Sequence, residues 1–327
     1  MEMRKLGSDG LTVSALGLGC MGMTPLYGVP DPEEARRTIH EAVDAGVTMI
    51  DTADVYNAGQ NETLVGEALK GRRGKVCLAT KFGNIRFPDG TSTVSGRPDY
   101  VIEACDKSLA RLGVECIDLY YAHRIDREVP IEDTVGAMAG LVKAGKVRHL
   151  GLSEAGAETI RRANAVHPIS AIQTEYSLAT RDVEETTLPV CVELGIGFVA
   201  YAPLSRGLIS GEIRNLDALG ENDRRRAMPR FQGDNLDHNL KMVDALKEIA
   251  AEKEVSIAAL SIAWVLAQDD RIVPIPGCSR RKTLEDCLTA LTVKLSATDL
   301  KYIEGVVAGT NILGTRYPAK QMGGLGL

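Results

Sequence analysis

Four side chains between residues 51 and 123 together have the chemistry to deliver a proton to an oxygen atom. Tyr56 is the donor, but a free phenol titrates at about 10 and is a slow acid near neutral pH. A neighbouring ammonium favours the phenolate, the role we expect for Lys81, which a salt bridge to Asp51 would hold. His123 would orient the acceptor oxygen or relay a proton, depending on its tautomer. Protonating a carbonyl oxygen is half of a reduction. The other half needs a hydride that no side chain supplies, so a nicotinamide is implied.

Each of these residues ends or follows a short apolar run, and such runs alternate with amphipathic helical patterns. The eight predicted strands are 15–18, 47–50, 76–79, 117–121, 149–152, 171–173, 197–201 and 271–275. The predicted helices are 32–45, 62–69, 98–112, 131–143, 157–165, 185–194, 240–252, 256–268, 281–291 and 297–307. Strands that alternate with helices predict a parallel sheet, and eight repeats predict an α/β fold, a (β/α)8 TIM barrel with extra loops and C-terminal helices.

The first thirty residues carry two further signals. Residues 4–13 form two extended pieces around Asp9-Gly10, which predicts a hairpin. Because it precedes the first repeat, we expect it to be an accessory lid outside the main sheet. Residues 17–22 match a dinucleotide-binding fingerprint, but Pro25 and Pro30 interrupt the helix that this fingerprint requires, so a doubly wound fold is disfavoured.

Length and composition narrow the class of protein. The chain has 327 residues, 44% of them hydrophobic and 25% charged, which is typical of a soluble globular protein. No linker rich in Pro, Gly or Ser divides it, so we expect one barrel domain over residues 1–327. A net charge of -6 disfavours nucleic-acid and anionic-membrane partners. We expect a cytoplasmic protein, since no apolar leader or membrane-length segment is present.

In a barrel, the residues just beyond the strands converge on one mouth. Those positions are polar here: besides the four residues above, strand five leads to Ser153 and Glu154, strand six carries Gln173, and strand seven ends at Tyr201. Each one alone has an ordinary explanation, such as a helix cap or a solvated strand end. Their convergence favours an active site.

Several stretches together resemble the aldo-keto reductase family, in the branch with Gly-Leu-Ser-Glu after strand five. The resemblance covers nearly the whole chain. The matching stretches are Gly46-x-x-x-Ile50-Asp51-Thr52-Ala53 with Tyr56, Glu62-x-x-Val65-Gly66, Thr80-Lys81, Asp118-Leu119-Tyr120 with His123, Gly145-Lys146-Val147-Arg148, Gly151-Leu152-Ser153, Gln173-x-Glu175-Tyr176-Ser177, Tyr201-x-Pro203-Leu204-x-Arg206-Gly207 and Pro274-Ile275-Pro276-Gly277. The resemblance implies that Asp51, Tyr56, Lys81 and His123 are a catalytic tetrad.

The resemblance also implies NADPH, or NADP+, bound in an extended pose across the mouth. The implied contacts are Tyr201 with the nicotinamide ring, Ser153, Glu154 and Gln173 with its carboxamide, Pro203, Leu204, Ser205, Arg206 and Gly207 with the pyrophosphate, Gly277, Ser279 and Arg280 with the 2'-phosphate, and Asp286 near the adenine. Arginine suits the phosphate position because its fork matches phosphate oxygens. Glu154 departs from the family, where asparagine is common, and Glu285-Asp286-Cys287 departs from Glu-Glu-Asn.

The substrate side is less determined by the sequence. The resemblance places Tyr27, Arg124 and Tyr317 near a small-molecule carbonyl substrate, while residues 210–237 are expected to be a solvated loop, with a lid as the alternative. A cofactor-binding regulatory or redox-sensing protein with little turnover is the alternative function. A metal-dependent hydrolase is disfavoured, since only one histidine, His123, lies at a strand tip. A monomer and a homo-oligomer are both compatible with the sequence.

Overall fold

The computed structural model describes residues 1–87, 89 and 91–327. It confirms a (β/α)8 barrel of eight parallel strands. The strands, numbered with two additional hairpins in chain order, are β1 Met3–Leu6, β2 Leu11–Ser14, β3 Leu18–Gly19, β4 Met49–Asp51, β5 Cys77–Phe82, β6 Asn84–Arg86, β7 Ser92–Val94, β8 Ile117–Ala122, β9 Val147–Ser153, β10 Ala171–Glu175, β11 Gly197–Tyr201 and β12 Ile272–Ile275. The parallel strands are β3, β4, β5, β8, β9, β10, β11 and β12, in that spatial order.

The barrel closes where its first and last strands meet. A parallel bridge joins Gly19 to Gly277, and the Gly17 and Gly19 amides donate to the carbonyls of Pro274 and Pro276, at 3.0 Å each. A Cβ on Gly19 would lie 2.9 Å from the Ile275 carbonyl oxygen, so only glycine allows this approach. The glycines of the fingerprint-like segment therefore serve strand closure, and the doubly wound alternative is wrong.

Helices surround the sheet and bury their apolar faces against it. They are α1 Pro32–Asp44, α2 Gln60–Ala68, α3 Pro98–Leu112, α4 Ile131–Lys143, α5 Ala157–Val166, α6 Thr187–Leu194, α7 Asp234–Glu252, α8 Ile257–Leu266, α9 Arg281–Thr289, α10 Ala297–Thr310 and α11 Ala319–Met322. Local caps explain several starts. The Asp31 side chain accepts from the Glu33 and Glu34 amides at the start of α1, and Ser296 with Asp299 forms a capping box on α10.

The hairpin β1–β2 forms as predicted, but it is not a lid. A lid would cover the carboxyl ends of the strands, and this hairpin lies at the other end of the barrel. Leu6 and Val13 are fully buried in a cluster inside the barrel. A Cβ on Gly197, the first residue of β11, would lie 2.4 Å from the Leu6 side chain. The hairpin therefore packs against the amino ends of the strands. It closes the floor of the barrel, because its alternate apolar residues fill the interior that the short strands leave open.

A second hairpin, β6–β7, was not predicted. It follows β5 directly, and the Ser95 amide donates to the Gly83 carbonyl at 2.9 Å, so the hairpin stands at the carboxyl end of the barrel. Its two strands have three residues each, which is too short for an alternation of apolar and polar residues to be recognised. Within the described ranges, no helix is both long and apolar enough to cross a membrane.

Candidate active site

A cavity of about 1160 Å³ opens at the carboxyl ends of the barrel strands. It brings together most of the residues that the sequence singled out. The predicted residues that line it are Tyr27, Asp51, Tyr56, His123, Arg124, Ser153, Gln173, Tyr201, Pro203, Leu204, Arg206, Gly207, Gly277, Ser279, Arg280 and Tyr317. Lys81, Glu154, Ser205 and Asp286 are not part of this lining. The convergence predicted from the strand ends is therefore present in the fold.

Asp51, Tyr56, Lys81 and His123 form one side of the cavity, which we term the catalytic wall. The Lys81 ammonium is fully buried and forms an ion pair with Asp51, and it also donates to the Thr52 carbonyl at 2.8 Å. Gln173 Nε2 donates to the other Asp51 oxygen at 2.8 Å. Burial lowers the pKa of Lys81, while Asp51 opposes that shift by favouring the charged form.

Tyr56 and His123 face this ion pair. Lys81 Nζ lies 5.2 Å from the centre of the Tyr56 ring, and the Tyr56 and His123 rings meet edge to face with their centres 5.9 Å apart. The backbone turns sharply after Tyr56, since Asn57 and Ala58 both have positive φ. Such strained backbone is concentrated at functional sites.

The protonation states at the catalytic wall differ from the sequence-based expectation for Tyr56. Burial, and then the negative charge of Asp51, raise the pKa of Tyr56 well above that of a free phenol, although Arg124 opposes the shift. We expected the lysine to lower it. Burial, together with the positive charges of Arg124 and Lys81, holds the pKa of His123 well below its ordinary value. Tyr56 is therefore a protonated phenol and His123 a neutral imidazole near pH 7.

The tautomer of His123 depends on the hydrogen-bond partners of its two ring nitrogens. Its Nδ1 is buried and has no hydrogen-bond partner within the described part of the chain. Unpartnered polar atoms of this kind are rare in folded proteins, and they are costly away from water. No protein partner at Nδ1 among the residues that the structure describes therefore determines which ring nitrogen carries the proton.

The opposite side of the mouth contains buried carboxylates paired with arginines, and we term Glu154, Glu175, Arg206, Arg230 and Arg316 the ion-pair wall. Arg206 Nη2 lies 2.7 Å from Glu175 Oε2, and Arg230 Nη1 lies 3.3 Å from Glu175 Oε1. Burial alone would raise the pKa of Glu175, but Arg206 and Arg230 bring it below its ordinary value. This carboxylate is therefore ionised.

Glu154 occupies the position where the family commonly has asparagine, and its side chain does not reach the cavity. Its Oε1 accepts hydrogen bonds from Arg316 Nη1 at 3.1 Å, from the Tyr201 hydroxyl at 2.8 Å and from the Glu175 amide at 3.1 Å. The Tyr201 hydroxyl also lies 3.0 Å from that of Tyr317. Glu154 thus acts behind Tyr201, and the sequence-based placement beside a carboxamide is not what the geometry shows.

The loop after β11 has unusual backbone. Ala202, Ser205 and Arg206 all have positive φ, and Gly207 follows at φ 90. Successive residues of this kind turn backbone amides toward one side, which is a typical anion-binding arrangement. Ser205 itself is buried and accepts from Arg230 at 3.0 Å, so its hydroxyl serves the ion-pair wall. Leu204, Arg206 and Gly207 line the cavity.

The loop after β12 forms the far end of the cavity. Gly277, Ser279 and Arg280 line it, and α9 starts directly after Arg280. A Cβ built on Gly277 would meet nothing within 4 Å, so its backbone is open to a ligand. A helix start with an adjacent guanidinium suits a phosphate group. Asp286, on α9, does not contribute to the lining.

Two kinds of site residue were missed by sequence reasoning. Arg316 and Arg230 stabilise buried carboxylates, and Arg86 on β6 and Arg224 line the cavity. None has a local sequence signal, because each lies in a loop or a hairpin outside the strand repeat. The signal that could have indicated Arg316 and Arg230 is the position of Glu154 and Glu175 at strand ends, since a buried carboxylate needs a partner.

Comparison with known proteins identifies the family. A family model described as the aldo/keto reductase family matches residues 15–308. The chain belongs to this family. Probable aldo-keto reductase 1 from Glycine max is 47% identical over 317 residues, which is 96% of this chain and 91% of that protein. Aldo-keto reductases generally reduce small-molecule carbonyl compounds with a nicotinamide cofactor.

Solved structures of aldo-keto reductases have the same fold. The glycerol dehydrogenase AKR11B4 from Gluconobacter oxydans superposes with a TM-score of 0.86 at 28% identity, over 96% of this chain and 97% of that one. The aldo-keto reductase AKR11C1 from Bacillus halodurans, in its holo form, gives a TM-score of 0.75 at 31% identity, over 94% and 96% of the two chains.

The cavity of this aldo-keto reductase fits a dinucleotide. Its volume of about 1160 Å³ exceeds the roughly 300–1,000 Å³ that a drug-sized ligand occupies. One end offers the Tyr201 ring for a planar group, and the other offers the open Gly277 backbone and the Arg280 guanidinium for phosphate. The donor set and the space therefore match a nicotinamide dinucleotide together with a small second molecule.

Proposed function

We propose that this aldo-keto reductase reduces aldehydes and ketones to alcohols with NADPH, and that Tyr56 is the proton donor. The observation that supports this most directly is the catalytic wall. In it the Tyr56 phenol and the His123 imidazole line one cavity, and the buried Lys81 ammonium lies 5.2 Å from the centre of the Tyr56 ring. NADPH, when bound, supplies the hydride.

The side chains of the catalytic wall have distinct roles in this proposal. Tyr56 gives its proton to the carbonyl oxygen, and its raised pKa keeps it protonated until that oxygen becomes negative. The Lys81 ammonium, fixed by Asp51, stabilises the phenolate that results. His123 is neutral, so it orients the oxygen as a hydrogen-bond partner and does not add a charge.

The remaining lining residues hold the cofactor. The Tyr201 ring packs on the nicotinamide, and Ser153 and Gln173 lie close enough to the same end to bind its carboxamide. Gly207 lines the pyrophosphate, while Ser279 and Arg280 bind the 2'-phosphate, which gives NADPH its advantage over NADH. These assignments are supported by the position of each residue on the cavity lining.

The test measures NADPH oxidation with a panel of aldehydes and ketones for the wild type and for Tyr56→Phe, with NADH as a second cofactor. We expect kcat to fall by about 10²–10⁴-fold in Tyr56→Phe because the proton donor is lost. NADPH binding, followed by cofactor fluorescence, should change little. Tyr302→Phe is the matched control, since this tyrosine is 55% exposed on α10.

Each outcome separates the candidate functions. Full activity in Tyr56→Phe would show that another group donates the proton. Tight NADPH binding by the wild type, without turnover on any carbonyl of the panel, would favour the regulatory or redox-sensing alternative. Equal use of NADH would remove the proposed role of Ser279 and Arg280.

A further inference from the structure

Three arginines from separate loops share the cavity lining with Tyr56 and His123. Arg124 follows β8, Arg86 lies on β6, and Arg224 lies in the 3₁₀ helix Arg224–Ala227 between β11 and α7. They are up to 138 positions apart in the sequence, and only the fold brings them together. We term Arg86, Arg124 and Arg224 the arginine cluster.

The arginine cluster has no carboxylate partner in the described residues. Arg124 Nη1 donates to the His123 carbonyl at 2.6 Å and to Ser153 Oγ at 3.4 Å, and Arg224 Nη2 donates to the Gln321 side chain at 3.0 Å. The contacts are all with neutral acceptors. Two other arginines on the same lining are neutralised: Arg206 pairs with Glu175, and Arg225 pairs with Asp223.

The acidic residues on the lining do not balance these charges. Asp51 is neutralised by Lys81. Burial raises the pKa of Asp54 to about 7, so it is partly protonated near neutral pH. Glu212 is exposed to solvent, where its charge is screened. The lining next to His123 therefore carries more positive than negative groups, and burial, then Arg124, Lys81 and Arg86, lower the pKa of His123.

The cofactor phosphates account for neither Arg86 nor Arg124, whereas Arg224 lies between β11 and α7, on the side of the barrel that suits the phosphates. The loops that suit phosphate follow β11 and β12, which are the seventh and eighth strands in the barrel order. Arg86 and Arg124 follow β5 and β8, which are the third and fourth. These positions lie on opposite arcs of the barrel, so Arg86 and Arg124 are directed to a different group.

We propose that the carbonyl substrate carries an anionic group, a carboxylate or a phosphoryl group, and that Arg124 is its principal binding residue. This inference rests on the proposed reductase function. Arg124 is adjacent to His123 in the sequence, and it already donates to Ser153 Oγ at the end of the neighbouring strand β9, so its guanidinium lies beside the position proposed for the reacting carbonyl. A guanidinium binds a carboxylate or a phosphate through two parallel hydrogen bonds. Arg86 and Arg224 add attraction at longer range.

The test compares two aldehydes of nearly the same shape, 4-carboxybenzaldehyde and methyl 4-formylbenzoate. The wild type is expected to prefer the acid by about 10-fold or more in kcat/KM, as a charge-assisted hydrogen bond allows. The ester is the more electrophilic aldehyde, so chemistry alone would favour it. In Arg124→Gln the acid-to-ester ratio should fall about 10-fold, mainly through a higher KM for the acid.

Two further variants separate charge from structure. Arg124→Lys keeps the charge and should retain part of the acid-to-ester ratio. Arg161→Gln removes an exposed arginine on α5 and should leave the ratio unchanged. A wild type that reduces the ester as well as the acid, or an unchanged ratio in Arg124→Gln, would overturn the proposal.

A binding measurement keeps this inference distinct from the reductase proposal. Calorimetric titration of the NADP+ complex should show tighter binding of 4-(hydroxymethyl)benzoate than of its methyl ester, even if neither aldehyde is turned over. Failure of turnover with anion-selective binding would refute the reductase function alone. Turnover of the ester with no selectivity for anions would refute the anionic substrate alone.

Discussion

The two charged walls of the cavity use buried ions in opposite ways. On the catalytic wall one ion pair, Lys81 with Asp51, lies next to polar groups that are not fully partnered. On the ion-pair wall each buried carboxylate has an arginine: Glu154 pairs with Arg316, and Glu175 with Arg206 and Arg230. Both walls consist of strand ends and the loops around them.

The difference shows which groups remain free to react. A charge that is fully paired and hydrogen-bonded has little capacity left for a substrate, and it serves to hold the backbone. Among the described residues, His123 Nδ1 and Asp54 Oδ1, which follow the fourth and second barrel strands, are buried without hydrogen-bond partners. Glu175 Oε2 on the ion-pair wall also lacks a hydrogen bond, but it lies 2.7 Å from Arg206 Nη2, so its charge is paired. The chemistry is therefore expected from the incompletely paired side of the mouth.

Lys81→Met gives the largest expected effect, because it removes the only cation from the catalytic wall's ion pair. Asp51 would be left buried with Gln173 as its side-chain donor. An uncompensated buried charge costs about 3–5 kcal/mol of unfolding free energy. Urea unfolding measures this cost, and NADPH oxidation should be lost in the fraction that remains folded.

Lys146→Met is the control for the lysine change. Lys146 pairs with Asp106 on the surface, where both side chains are well exposed, so its unfolding midpoint should stay near that of the wild type. If Lys81→Met and Lys146→Met had the same unfolding free energy, the buried pair of Lys81 and Asp51 would not stabilise the fold more than a surface pair does.

The ion-pair wall should show strong coupling between its members. Arg316→Met leaves the Glu154 carboxylate buried without a cation, and we expect a loss of about 3 kcal/mol. Adding Glu154→Gln removes the unpaired charge and should recover most of that loss. A double-mutant cycle by urea unfolding should therefore give a coupling of about 1–3 kcal/mol.

Additive effects at these positions would contradict the comparison, because they would mean that Glu154 and Arg316 stabilise the fold independently. The same variants also test whether the ion-pair wall supports Tyr201, which we propose packs on the nicotinamide. Since the Glu154 carboxylate accepts from the Tyr201 hydroxyl, the KM for NADPH should rise in Arg316→Met more than kcat falls.

Asp54 provides the smallest effect, and one that depends on pH. Its pKa is raised to about 7 in the folded chain, mainly by burial and then by Glu62, from 3.8 for a free carboxyl. The folded chain then binds the proton more tightly than the unfolded chain, so stability falls as pH rises from about 4 to about 7. Asp54→Asn should raise Tm by about 2 °C or more at pH 8 and change it little at pH 4.

Thermal unfolding at both pH values measures this difference, and Asp217→Asn, an exposed aspartate, serves as the control. An equal shift at pH 4 and pH 8 would show that the effect of Asp54→Asn does not come from its ionisation. That result would contradict the interpretation of Asp54 as a buried carboxyl group whose ionisation destabilises the fold.

The sequence predicted the barrel because each repeat carries its own local signal. Helices α3 and α4 have the predicted ends, since Pro98 starts one, Gly113 in the left-handed region ends it, and the apolar spacing of the other is regular. The residues at the strand ends could be predicted as a group for the same reason. Barrel topology alone brings them to one mouth.

What the sequence could not predict depends on contacts between distant segments. The partner of Glu154 is Arg316, 162 positions away in a tail without a repeating pattern. The first hairpin was expected to be a lid, because its position before the repeats does not say which end of the barrel it covers. The raised pKa of Tyr56 is likewise a result of packing, since the effect of burial outweighs that of the Arg124 cation.

The pairing of Glu154 with Arg316 also constrains how this protein can change over evolutionary time. Loss of Arg316 alone leaves the Glu154 carboxylate buried without its cation, and loss of Glu154 alone leaves Arg316 with only the exposed Asp182 as its ion-pair partner, so each single step is expected to be destabilising. The two residues should therefore be gained or lost together across homologues. Where asparagine replaces the glutamate, we expect an uncharged residue in place of the arginine, and this covariation would be visible in an alignment before any variant is made.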